Sequence, residues 1–87
     1  MEHLVSFESA LGAVRIGKSI QRAGWNGKGL IVKLQVPDEN SKMSLPYLYI
    51  EYPESIFDPT GEIIPAKRCP WLASQTDILT MDWRVID

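Results

Sequence analysis

Phe7, Ala10, Leu11 and Val14 recur at the spacing that lines one buried face of a helix, and Ser6 stands ahead of them as an N-cap. This pattern predicts a helix over 7–16, ended by Gly17. Residues 18–22 are a short strand-like run. They lead into Ala23-Gly24-Trp25-Asn26-Gly27-Lys28-Gly29, a turn in which Asn26-Gly27 is the strongest hairpin signal of the chain. Alternation then predicts a strand over 30–36, with Leu30, Val32, Leu34 and Val36 on one face and Ile31, Lys33 and Gln35 on the other, stopped by Pro37. It pairs naturally with the strand before the turn.

The polar, breaker-rich run 37–46 reads as a surface loop. A third strand follows over 47–52, where Tyr47, Tyr49 and Glu51 alternate with Leu48, Ile50 and Tyr52. Asp58-Pro59-Thr60-Gly61 is a turn sequence, and 62–65 supplies a short strand at an edge, because Pro65 cannot donate to a ladder. Ser74 with Asp77 three residues later is capping-box-like and starts a short helix over 75–81. Residues 83–86 close as a strand. The order α-β-β-β-β-α-β predicts an α+β fold: one domain over 1–87, with a small, mainly antiparallel sheet, an N-terminal helix and a short C-terminal helix.

Composition narrows the function classes. The 87 residues are 45% hydrophobic and 23% charged, ordinary proportions for a folding chain. A domain of this size buries only about 60% of its unfolded surface, so a lone subunit is marginal and has little room to enclose a nucleotide-sized ligand. A formal net charge of -2 argues against a general duplex-DNA binder, which needs a Lys/Arg surplus to displace counterions. No apolar stretch approaches the roughly 20 residues that cross a bilayer. The first residues also lack the basic and apolar regions of a signal peptide, so a cytosolic protein is expected. Cys69 and His3 are the single cysteine and histidine, which excludes an internal disulfide and a Cys-rich zinc site and leaves a poor inventory for nucleophilic catalysis. No metal, no cofactor and no enzymatic activity are expected.

Two segments place an aromatic ring beside short polar groups in a constrained turn: Gly24-Trp25-Asn26-Gly27-Lys28-Gly29 and Pro70-Trp71-Leu72-Ala73-Ser74-Gln75-Thr76-Asp77. In the first, Trp25 offers a stacking face and Asn26 both donors and an acceptor for a base or ribose edge. Taken alone, it is better explained as a hairpin whose Trp caps the core. In the second, the amides of Gln75, Thr76 and Asp77 at a helix start can meet Ser74 or a phosphate. The Asp77 carboxylate would repel an anion there, so it suits ribose hydroxyls or an adenine amino group. Taken alone, this segment is better explained as a self-capped helix with Trp71 buried. Arg22, Lys28, Lys67 and Arg68 could neutralise a diphosphate; Lys28 is the best placed, and Lys67 and Arg68 are better explained as solvated surface charge. Trp83 is most simply core, and Cys69 lacks the neighbours of a nucleophile.

At these two segments the chain resembles the small phage and prophage proteins of the second Thoeris anti-defence family. The resemblance runs from the amphipathic helix through Arg22-Ala23-Gly24-Trp25-Asn26-Gly27-Lys28-Gly29 and the strand over 30–36 to Pro70-Trp71-Leu72-Ala73-Ser74-Gln75-Thr76-Asp77-Ile78-Leu79 and Asp82-Trp83. It implies a sponge that binds the cyclic ADP-ribose isomer made in bacterial Thoeris immunity and withholds it uncleaved in the cytoplasm of the infected host. Some relatives also take up cyclic oligonucleotide signals. It further implies a homotetramer built from dimers with ligand between subunits, and a ligand-binding role for Trp25, Asn26, Lys28, Trp71, Ser74, Gln75, Thr76 and Asp77. A small enzyme that degrades the signal, or a protein-binding inhibitor of a host defence protein, are the alternative readings.

Overall fold

The computed structural model describes residues 3–25, 29–53, 60 and 65–86. Helix α1, Phe7–Arg15, begins where Ser6, in extended backbone, accepts the Ser9 N–H on its hydroxyl at 3.2 Å. It ends in a Schellman closure: the Gly17 N–H donates to the Val14 carbonyl and the Lys18 N–H to the Ala13 carbonyl. That closure places Gly17 at φ 96°, in the left-handed region that glycine enters without a Cβ clash.

The chain then forms β1 (Ser19–Arg22), a single 3₁₀ turn (Ala23–Trp25), β2 (Ile31–Gln35), β3 (Tyr47–Tyr52), β4 (Lys67–Pro70), α2 (Gln75–Leu79) and β5 (Trp83–Ile86). The five strands make one antiparallel sheet in the order β4-β3-β2-β1-β5. The α+β architecture expected from the sequence is therefore present, and β1 pairs with β2 through Ile20 and Val32. Inward-facing residues of the central strands meet one face of α1, and Ala10, Val14, Ile20, Val32, Ile50 and Trp83 form the core, with Phe7 and Leu11 packed against it. Helix and strand periodicities thus select the same interior.

α1 ends one residue short of expectation at Arg15, β1 and β2 begin one residue late at Ser19 and Ile31, and three further differences have a clear cause. The strand over 30–36 ends at Gln35, which pairs with Tyr47, and Val36 beyond that last rung is 63% exposed. The fourth strand among the described residues is Lys67–Pro70, which the sequence did not predict; of the strand expected over 62–65, Pro65 is not in a strand and residues 62–64 lie outside the described residues. Pairing with β3 decides this position: Cys69 faces Ile50, and Arg68 faces Glu51 in a 2.7 Å ion pair. β4 lies at an edge of the sheet, with Pro70 taking the end where a missing N–H does least harm. Finally, α2 stops at Leu79 rather than 81, because Thr80 turns to extended backbone and its hydroxyl donates to Asp82 at 2.9 Å. The Asn26-Gly27 turn and most of the Asp58-Pro59-Thr60-Gly61 turn lie outside the described residues.

Candidate functional site

The 3₁₀ turn after β1 delivers Trp25, and the chain leaving β4 delivers Trp71, whose backbone N–H donates to the Leu48 carbonyl at 3.0 Å. The two rings meet edge to face, with centroids 6.5 Å apart at 82°. Both stand against Trp83, at 5.5 Å for Trp25 and 5.9 Å for Trp71, and Phe7 joins from α1 at 5.4 Å from Trp83. Trp83 is wholly buried and donates its indole N–H to the Asp77 carbonyl at 2.7 Å, so it ties the aromatic cluster to the start of α2. Trp25 and Trp71 are half-buried: each has one side on the core and another toward the surface. Two segments far apart in sequence converge on one place.

Below the rings lies a charged knot. Arg22, the last residue of β1, donates through Nε to Asp82 Oδ1 at 3.0 Å and through an η nitrogen to Asp77 Oδ1 at 2.9 Å. The other Asp77 oxygen accepts the Ser74 N–H at 2.9 Å while Asp77 donates its own N–H to the Ser74 hydroxyl at 3.1 Å, closing the capping box expected from the sequence. The other Asp82 oxygen accepts the Gly24 N–H at 3.0 Å. Burial pushes both carboxyls up, but the hydrogen bonds from Ser74 and Arg22 on Asp77, and from Arg22, Thr80 and Gly24 on Asp82, outweigh it and hold both below the usual carboxylate range. Asp82 and Asp77 in turn raise the pKa of the Arg22 guanidinium against the opposing effect of its burial.

This geometry changes the roles open to several residues. Arg22 is already paired with two carboxylates, which weighs against its use as a diphosphate anchor. Arg68 is likewise paired, with Glu51, while Lys67 is exposed. Both Asp77 oxygens are engaged within the chain, and its amide is taken by Ser74, so the start of α2 offers no anion seat at that amide. Ser74, Gln75 and Thr76 are exposed beside the aromatic pair, and Asn26 and Lys28 lie outside the described residues. Asp82 escaped the sequence reading as an individual site residue; a carboxylate immediately before the core Trp83 was its only signal.

A second feature was not foreseen. A groove of about 500 Å³ opens next to Trp71, walled by Met43 and Leu45 of the loop, Tyr47 and Leu48 of β3, and Pro70. The apolar Met43 and Leu45 within an otherwise polar loop were the available clue. Among the described residues no group of His, Cys, Asp and Glu is arranged to hold a metal ion, and no helix is long and apolar enough to cross a membrane.

The model of the Thoeris anti-defense 2-like domain matches residues 5–86, a span that includes both converging segments and the charged knot. The chain belongs to the Thoeris anti-defense 2-like family. It is 33% identical over 92 residues to Thoeris anti-defense 2 of Bacillus phage SP01, covering 99% of each chain. Membership in the Thoeris anti-defense 2-like family supports an anti-defence role against Thoeris, and the pairing of the Trp25 and Trp71 segments is the local structure on which a finer reading of that role rests.

Proposed function

We propose that the protein is an anti-defence sponge: it binds the cyclic ADP-ribose isomer signal of Thoeris immunity and sequesters it without cleavage, in the cytoplasm of the infected host. The observation that carries this reading is the convergence of Trp25 and Trp71 beside the exposed Ser74, Gln75 and Thr76, in a chain that belongs to an anti-defence family. An adenine ring stacks on an indole face, and the short polar side chains of the α2 start, with Asn26 and Lys28 that follow Trp25 in sequence, supply hydrogen bonds and a charge-assisted contact. Asp77 has its oxygens engaged with Ser74 and Arg22, so its part in this reading is to hold the α2 start in place.

Magnitudes favour a site shared between subunits. Stacking on an aromatic side chain is worth about 1–3 kcal/mol per base, whereas nanomolar sequestration needs about 12.3 kcal/mol. Polar contacts strengthened by exclusion of water must supply the rest. A half-open site on one small subunit excludes little water. Leu72, Leu79 and Met81 around α2 are 91%, 74% and 67% exposed, which is the apolar surface a second subunit would cover. A homotetramer with ligand between subunits accounts for both.

The test incubates the protein with the Thoeris signal, separates protein from filtrate, heats the protein fraction and analyses both pools by mass spectrometry. Signal missing from the filtrate and recovered unchanged after heating is the expected result. A new product would make the protein a degrading enzyme. Full signal left in the filtrate would reject this ligand and favour a protein-binding inhibitor.

A further inference from the structure

We infer that Asp82 is a positioning residue for this site, fixing the turn that carries Trp25 against the capped start of α2; the inference rests on the functional reading above. Three bonds converge on its carboxylate, from Arg22 Nε at 3.0 Å, the Thr80 hydroxyl at 2.9 Å and the Gly24 N–H at 3.0 Å. Its own carbonyl accepts the Ala23 N–H at 2.9 Å. Asp82 therefore holds two successive amides of the Ala23–Trp25 turn directly. Through Arg22 it also reaches Asp77, and through Asp77 the capping box.

The approach is possible because residue 24 is a glycine: a Cβ there would stand 2.8 Å from Asp82 Oδ2, closer than real Cβ contacts allow. Gly24 is exposed, so water could satisfy its amide. A carboxylate paired with a guanidinium binds that amide in a fixed direction, which water does not. The consequence is a turn already ordered when ligand arrives, sparing the entropy that a loose turn would lose on binding. Asp82 acts on affinity through Trp25 and needs no ligand contact of its own.

The test is a double-mutant cycle. Asp82→Asn keeps the shape and removes the charge; Gly24→Ala leaves the charges and displaces the carboxylate. Each is combined with Trp25→Ala and titrated calorimetrically with the cyclic ADP-ribose isomer, alongside thermal melting and near-ultraviolet circular dichroism of the unliganded protein. In the parent background each variant is expected to weaken binding about tenfold or more, with an altered tryptophan signature in a still cooperative melt. In the Trp25→Ala background the same changes are expected to cost less than about twofold, because the residue being positioned is gone. Unchanged affinity in the parent background, or equal penalties in both backgrounds, overturns the inference. Should Asp82→Asn not fold, Gly24→Ala reads the same contact. If the parent protein does not bind the cyclic nucleotide, the functional reading fails instead. The tryptophan signature then decides positioning by itself: altered supports it, unchanged overturns it.

Discussion

At the scale of single residues, Trp83 and the Arg22 knot govern different properties. Trp83 is wholly buried among Phe7, Trp25 and Trp71 and has its indole N–H on the Asp77 carbonyl. Trp83→Ala is expected to lower stability by about 3–5 kcal/mol, measured by urea denaturation, through the cavity and the orphaned carbonyl. For such a small domain that is a large share of the total. The knot controls acid stability. Asp77 and Asp82 both titrate below their ordinary value, so the unfolded chain binds more protons than the folded one near that value. Their contribution is fully present above about pH 4, the unfolded carboxylate value, and is lost as pH falls through the lower folded values. Thermal melts from pH 6 to about pH 2.5 should show this decline, and Asp82→Asn should make it shallower.

Little of that residue-scale chemistry was legible beforehand. The Ser74–Asp77 capping box is local and could be read directly. The bonds from Arg22 to Asp77 and Asp82 join residues 55 and 60 positions apart, and no periodicity announces them. Arg22 therefore looked free to meet a phosphate. Trp25 and Trp71 could be singled out by type and setting, but their edge-to-face meeting depends on how β2, β3 and β4, which separate them in sequence, pair in the sheet.

At the scale of elements, amphipathic periodicity revealed α1, because one helical face carries Phe7, Ala10, Leu11 and Val14 and all four reach the core. Strand β4 stayed hidden for the opposite reason. Lys67, Arg68, Cys69 and Pro70 carry no apolar alternation, and only the ladder to β3 makes them a strand. The ends of both helices give direct tests. Ser74→Ala removes the cap of α2 and is expected to cost about 1 kcal/mol by chemical denaturation. Gly17→Ala forces a Cβ into backbone at φ 96° and is expected to cost about 1 kcal/mol, although nothing crowds the position. The Ser74 variant should also weaken ligand binding in the calorimetric titration, since α2 carries Gln75 and Thr76; the Gly17 variant should not.

At the scale of the whole molecule, α1 covers one face of a five-stranded sheet, while apolar side chains around α2 stay open to solvent. Light scattering on the purified protein should give a mass several times the 9.8 kDa of one chain. Leu72→Ser with Leu79→Ser is expected to shift that mass downward and to weaken retention of the nucleotide in the same preparation. A monomeric parent that still retains the nucleotide would remove the shared-site proposal and leave sequestration intact.

The sheet order carries a consequence for biosynthesis. The second strand to form in the chain, β2, and the last, β5, both flank β1, so β1 lacks one neighbour until residues 83–86 have been made. Asp82 and Trp83 arrive with that same strand and bring the knot and the centre of the aromatic cluster with them. During translation the nascent chain can thus hold α1, β1–β4 and α2, but it lacks the Asp82 bonds to the Trp25 turn and the Trp83 ring between Trp25 and α2. Binding competence should rise steeply once residues 82–86 have emerged from the ribosome.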